Sequence, residues 1–399
     1  MSLLKRKEFS NERIIGIGAV ITIAIAWFLG ARMIQGEVEP YLAVALPQAG
    51  YFESIGEETF AAYQDTSSQQ LIGYVSIGEA TGYGGPMKVA VATDLEGNIS
   101  GLAIVDHKET PSFLERVLDD DYMGTFFGKS YLDSFQLGQD VDGISGATYT
   151  SRAIAEAARK GSRSIAETQL GLSVPKEIPP KVQFGIPEIT LIGLYVVGYI
   201  GHQQKFKYKK QVRWISMLAG VIILGFIYTR PLTLSDISKF LLGFWPQWQT
   251  NLYWYLLIGG ILFVFTVDNK NPYCEWFCPF GAAQECMGAI GGAKPGRAGR
   301  YKNFLKWLQR GLAWMAILLA LLFRNPGLTS YEIFGTFFDL KGTTFQFALL
   351  GIVLVTSLFV RRPWCTYLCP LRPVTDLYRA FRKWIIESWK TIRRKQTIS

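Results

Sequence analysis

Long stretches without a charged side chain alternate with polar segments along this chain, and the alternation defines its parts. The uncharged runs are Ile14 to Ala31, Ile189 to Gly201, Trp214 to Thr229, Leu252 to Val267, Gly311 to Phe323 and Phe345 to Val360. A hydrocarbon core about 30 Å thick needs ~20 residues of helix, so the shorter runs use their Trp, Tyr and Phe flanks to complete a span. Six transmembrane helices are predicted. Between the first two runs the pattern changes: apolar stretches shorten to strand length and Asp, Glu and Gly return. Met87 to Thr93 and Ile99 to Val105 flank Glu96-Gly97-Asn98, which predicts a hairpin. Helices are predicted around Pro111 to Leu118 and from Arg152 to Thr168.

The fold class expected is an α-helical polytopic membrane protein with an inserted external α+β domain. Residues 1–35 form an N-terminal anchor, 36–186 the external domain, 187–373 the membrane domain, and 374–399 a basic amphipathic tail. A basic segment precedes the first run, as in a signal peptide. That run is long for one, and Ala31-Arg32-Met33 lacks a small-x-small cleavage site, so an uncleaved anchor is expected.

Net charge is +9. If six helices alternate, Lys5 to Arg13, Lys205 to Arg213, Lys294 to Arg310 and Arg361 to Lys395 all fall on one side, which the positive-inside bias makes the cytoplasm. The basic balance then follows from topology and anionic lipid, and no nucleic-acid partner is expected.

Two stretches nearly repeat one another: Asn271-Pro-Tyr-Cys274-Glu-Trp-Phe-Cys278-Pro-Phe280 and Arg362-Pro-Trp-Cys365-Thr-Tyr-Leu-Cys369-Pro-Leu371. They hold four of the five cysteines, and each follows an inward-running helix. Reducing conditions at the inner face disfavour a structural disulfide there. Two helices precede each motif, so the halves form a repeat whose pairs can face one another. Four converging thiolates suit an Fe–S cluster, or zinc if the site is only structural. Cys286 has no counterpart in the second repeat and is expected to be a free buried thiol.

In the external domain, Asp142-Gly-Ile-Ser145-Gly146-Ala147-Thr148-Tyr-Thr150-Ser151 leads into a helix. Small residues let the backbone approach a ligand, and Thr150 or Ser151 could cap the helix. A phosphate at its N-terminus would meet free N–H groups and the positive end of the dipole.

The stretch Asp142 to Thr148 resembles the motif D-x-x-S/T-G-A-T/S of the external FMN-binding domains of Rnf, Na+-translocating NADH:quinone reductase and NosR-type proteins. The resemblance implies covalent FMN, attached through its phosphate to Thr148 by a flavin transferase, with Thr150 as a second candidate. Tyr83, Gly84 and Gly85 in Gly82-Tyr-Gly-Gly-Pro86, and Glu109, Thr110 and Pro111 after His107, are similar to further segments of that family. Ser112 departs from it where glycine is usual. With two cytoplasmic C-x3-C-P motifs added, nearly the whole chain resembles the NosR, NirI and PceC family in its short, PceC-like form.

The inventory removes other redox sites. Two histidines, His107 and His202, cannot build a bis-histidine haem in the membrane, and no C-x-x-C-H occurs. Neither a P-loop nor a dinucleotide fingerprint is present. The function expected is transmembrane electron transfer from a menaquinol, another quinol or a cytoplasmic donor to an external reductase or redox partner, through FMN and an Fe–S centre. Because ~30 Å of hydrocarbon separates the two faces, a third carrier such as a quinone is expected between them. The alternatives are a membrane redox sensor and a redox component of an ion-pumping complex.

Overall fold

A computed structural model of the chain describes residues 2–33, 38–65, 70–109, 111–145, 147–177, 179–203, 207–294, 301–329, 331–340 and 342–396. Among the expected site residues, Thr110 and Gly146 lie outside the described set, as does the side chain of Pro111.

The external domain is a five-stranded antiparallel meander: β1 (Tyr51–Ser54), β2 (Thr59–Tyr63), β3 (Leu71–Thr81), β4 (Pro86–Thr93) and β5 (Ile99–Asp106), paired in that order. The expected hairpin joins β4 to β5. Asp94 Oδ1 accepts from the N–H groups of Glu96 and Asn98, and Gly97 takes the left-handed turn position at φ 87°.

Successive side chains of a strand point to opposite faces. Met87, Val89 and Val91 of β4 therefore join the core under helix α4 (Thr148–Thr168), while Ala90 and Ala92 join the core under α2 (Glu39–Ala45). Both helices approach closely where glycine leaves room. A Cβ at Gly78 would lie 1.9 Å from the carbonyl oxygen of Ala157, and one at Gly101 would lie 1.9 Å from that of Ala45. Helix α3 (Pro111–Asp119) completes the domain.

Helix α4 begins at Thr148, four residues before the predicted start. Thr150 and Ser151 sit inside its first turn, and neither caps it. Ser151 Oγ donates to the Ala147 carbonyl and accepts from Ile144 N–H, and the Thr150 hydroxyl is held elsewhere, so the preceding loop is pinned from within the helix.

Each predicted apolar run is a helix. Three are long and apolar enough to cross a membrane: Ile14–Arg32 within α1 (Ser2–Arg32), Lys209–Ile227, and α10 (Lys302–Leu322). Three are shorter: α5 (Ile186–Gln203), α8 (Leu252–Asp268) and α12 (Thr344–Phe359). The Lys209–Ile227 segment is α6 (Lys209–Ala219) continued as a wider π-helical stretch over Gly220–Ile227.

Helices α1 and α10 run parallel. Lys306 pairs with Glu12 at 2.7 Å near their starts, Trp314 Nε1 donates to Thr22 Oγ1 midway, and Gly30 lets the Leu321 and Leu322 carbonyls approach near their ends.

A repeat is plain in the second half. Helix α6, short α7 (Leu234–Leu242), α8, the first cysteine motif and α9 (Pro279–Gly291) correspond to α10, α11 (Phe334–Phe338), α12, the second motif with α13 (Pro363–Tyr367), and α14 (Leu371–Gln396). Neither cysteine motif hangs free at a helix end. The first turns back among the helices, so that the Phe277 carbonyl rests on Gly220 in the middle of the Lys209–Ile227 segment and Trp276 rests on Gly201. A Cβ at Gly201 would stand 2.0 Å from the Trp276 ring. Gly201→Ala is expected to cost about 1–3 kcal/mol by overpacking, read as a lower unfolding temperature in detergent.

Amphipathic α14 lies along the end of α8. Arg382 donates to the Thr266 and Val267 carbonyls, and Tyr378 packs on Phe265 and shares a hydrogen bond with Thr266. Its exposed Phe381, Trp384 and Trp389 are placed as a membrane-surface helix requires.

Candidate redox sites

At one end of the bundle, Glu109 draws together segments far apart in sequence. Its buried carboxylate accepts the Gly84 N–H at 3.0 Å and the Thr150 hydroxyl at 2.6 Å. The clasp admits no side chain at two glycines: a Cβ at Gly82 would meet Glu109 Oε1 at 2.1 Å, and one at Gly84 the Lys108 carbonyl at 1.7 Å. The Gly82–Gly85 loop is thereby set beside the start of α4, with the rings of Tyr83 and Tyr149 6.2 Å apart. Burial lowers the pKa of neighbouring His107 and favours its neutral form. Glu109→Ala would leave Gly84 N–H and Thr150 Oγ1 buried without their partner, at about 1–3 kcal/mol each. The expected result is a lower unfolding temperature for the external domain, followed by circular dichroism.

Thr148 is exposed as the first residue of α4, next to buried Ala147, whereas Thr150 is buried. Asp142 is exposed, and the Ser145 carbonyl accepts from Arg116. Cations gather around the rings of Tyr149 and Tyr83. The Arg152 guanidinium lies 5.7 Å from the centre of the Tyr149 ring, and Arg230 lies 5.6 Å from it and donates to the Tyr149 hydroxyl. Lys239 Nζ stands 4.6 Å from the centre of the Tyr83 ring.

Arg230 and Lys239 belong to the membrane domain, and the sequence reading missed them. They are isolated basic residues at the end of the bundle opposite the charged clusters, and that exception to the charge bias was the available signal. An exposed hydroxyl at a helix N-terminus, small neighbours and three cations fit a phosphate-linked flavin.

Within the bundle, Cys274, Cys278, Cys365 and Cys369 line one cavity of about 310 Å3. They are close enough that the charge of each of the other three weighs on Cys369. The second cysteine of each motif stands at a helix start: Cys278 accepts backbone N–H groups of Phe280 and Gly281 in α9, and Cys369 accepts that of Leu371 in α14. Donors so placed offset part of the cost of burying a charged sulfur.

Side chains missed at the sequence level complete the surroundings. Asn271 Nδ2 donates to Cys274 Sγ at 3.0 Å, and Gln284 Nε2 donates to Cys365 Sγ at 3.2 Å. Arg362 reaches from the second repeat to the Cys274 carbonyl at 2.7 Å. Buried Glu285 holds Arg213, Arg361 and Arg362 within 3.0 Å. Cys286 is half-buried and does not line the cavity.

Among the described residues no three His, Cys, Asp or Glu side chains close on a point as a single ion requires. Four thiols on one cavity suit an Fe–S cluster or a structural zinc by donor type.

Comparison with known proteins agrees with this division. The model of the FMN-binding domain family matches residues 82–162, and that of the 4Fe-4S binding domain matches residues 250–298 and 343–387, one segment for each cysteine motif. A component of the ion-translocating oxidoreductase complex of Stutzerimonas stutzeri is 30% identical over 37% of this chain and 77% of its own length. Protein NirI of Paracoccus denitrificans (strain Pd 1222) is 27% identical over 47% of this chain, and regulatory protein NosR of Stutzerimonas stutzeri is 25% identical over 50%. The chain belongs to the NosR/NirI-type FMN-binding membrane proteins.

The matched region spans 30% of NirI and 30% of NosR. As a member of this family the chain combines an FMN-binding domain with a 4Fe-4S binding domain, and its function is of the electron-transport oxidoreductase type.

Proposed function

We propose that this protein carries electrons across a membrane between a quinol or cytoplasmic donor and an external acceptor. One observation carries the reading: a flavin-type site beside the helical bundle and a four-thiol cavity within it belong to one chain and meet on the two sides of the Arg230–Leu232 loop. FMN is held as a phosphoester on Thr148, put there by a flavin transferase, with Arg152, Arg230 and Lys239 facing its charge. Cys274, Cys278, Cys365 and Cys369 ligate an Fe–S cluster. Six helices span the bilayer, and by the positive-inside bias the basic end, from which the first cysteine motif turns back, faces the cytoplasm and the flavin domain lies outside.

FMN supplies exchange of one or two electrons, which suits passage between a two-electron quinol and a one-electron partner. The protein's own part is position and potential. Cations around the rings of Tyr149 and Tyr83 favour added negative charge there, and N–H donors to Cys274 and Cys365 withdraw charge from sulfur.

Purified protein should hold its flavin through acid precipitation, contain iron and acid-labile sulfide, and give a cluster EPR signal on reduction. Flavin released by acid removes the covalent half of the proposal, and zinc in place of iron removes the other.

A further inference from the structure

The loop between the Lys209–Ile227 segment and α8 dips into the bundle. Leu232 and Leu234 are buried in it. Leu232 N–H donates to the Tyr273 hydroxyl at 2.7 Å, and the Tyr253 hydroxyl donates to the Arg230 carbonyl at 3.0 Å. Tyr273 is fully buried and immediately precedes Cys274, so the loop meets the cysteine motif that has turned back from the opposite end. At its other side, Arg230 donates to the hydroxyl of Tyr149, the neighbour of Thr148.

The two sites are thus joined by Thr148-Tyr149, a hydrogen bond, Arg230-Pro231-Leu232, a second hydrogen bond, and Tyr273-Cys274. The backbone from Arg230 to Leu232 covers at most about 7 Å between Cα atoms, a small part of the distance assigned to the hydrocarbon core. Among the described residues the second repeat shows no equivalent link. Trp364, which precedes Cys365 as Tyr273 precedes Cys274, packs against Phe334 of the corresponding loop, but its buried Nε1 has no partner among the described residues.

We infer that electrons pass directly between the flavin on Thr148 and the cluster along Tyr149, Arg230, Leu232 and Tyr273, with no third carrier between them. The inference rests on the function proposed above and removes the quinone expected as an intermediate, leaving quinol as a donor. One electron leaves the reduced centre as the other centre gains it. No bond in the path is made or broken, Tyr149, Arg230 and Tyr273 end unchanged, and any proton needed at the flavin comes from water at the exposed Thr148 end.

The test is the rate of intramolecular electron transfer in purified, flavin- and cluster-loaded protein after flash reduction by less than one electron per molecule. Flavin absorbance and the cluster signal report it. Tyr273→Phe is expected to slow the transfer by an order of magnitude or more. Tyr253→Phe removes a comparable hydrogen bond to the Arg230 carbonyl but leaves both linking bonds, Arg230 to Tyr149 and Leu232 to Tyr273, in place, and should leave the rate roughly unchanged. Arg230→Gln should slow the transfer and also lower the flavin midpoint potential in a spectroelectrochemical titration. Extraction of quinone from the wild-type protein should have no effect.

Equal behaviour of Tyr273→Phe and Tyr253→Phe, or loss of transfer on quinone extraction, would overturn the inference. Flavin, iron and sulfide content measured on the same samples test the underlying reading separately.

Discussion

Thr148→Val is expected to yield folded, membrane-inserted protein whose flavin is wholly absent from the acid-precipitated pellet. Valine keeps the β-branched shape of threonine and removes only the hydroxyl, and Thr148 is exposed, so the fold has little to lose. The companion variant Thr150→Val behaves in the opposite way. Its hydroxyl is buried and donates to Glu109, so its loss is expected to cost about 1–3 kcal/mol of domain stability while covalent flavin remains. In-gel flavin fluorescence and thermal unfolding, measured on both variants, separate the acceptor from the clasp. Covalent flavin on Thr148→Val protein would move the attachment to another residue.

Cys365→Ser is expected to remove cluster iron and its EPR signal, with the flavin retained and electron transfer between the two sites abolished. The effect is large because the site is shared: each repeat supplies two sulfurs, and Gln284 of the first repeat donates to the sulfur of Cys365 in the second. Serine offers a harder oxygen ligand with poor affinity for an iron–sulfur core. Cys286→Ser, outside the cavity, should keep full iron content by metal analysis. A protein acting only as an external redox sensor would keep its signalling in Cys365→Ser, whereas an electron carrier would lose its output.

Much of this was legible in the sequence for local reasons. Each charge-free run is a helix because burial or lipid leaves no other use for it, and Glu96-Gly97-Asn98 made a turn because glycine takes the left-handed position there. The convergence of the cysteine pairs followed from the repeat. The pairings that finish each site were not legible, because they join residues far apart in sequence. Glu109 bonds Thr150 across 41 positions, Leu232 bonds Tyr273 across 41, and Gln284 reaches Cys365 across 81. Local propensity says nothing about such partners. The depth of the cysteine motif in the bundle was not legible either, because a proline after each pair signals a chain reversal but not the direction in which the reversed segment travels. Packing of Phe277 on Gly220 and Trp276 on Gly201 decides that direction.

The cysteine cavity is built like the interface of a dimer folded into a single chain, with Arg362 and Gln284 crossing from one half to the other. Its two sides are no longer twins. Three residues before the first cysteine, one half carries Asn271 and the other Arg362; seven before it stand Val267 and Leu358. Asn271 donates to sulfur, whereas Arg362 spends its charge on the opposite backbone and on Glu285. Duplication gave four sulfurs with one side-chain amide donor to each pair, but both donors, Asn271 and Gln284, come from the first half. A substitution in the first half therefore reaches the sulfurs of both pairs, an asymmetry that no pair of identical halves could show.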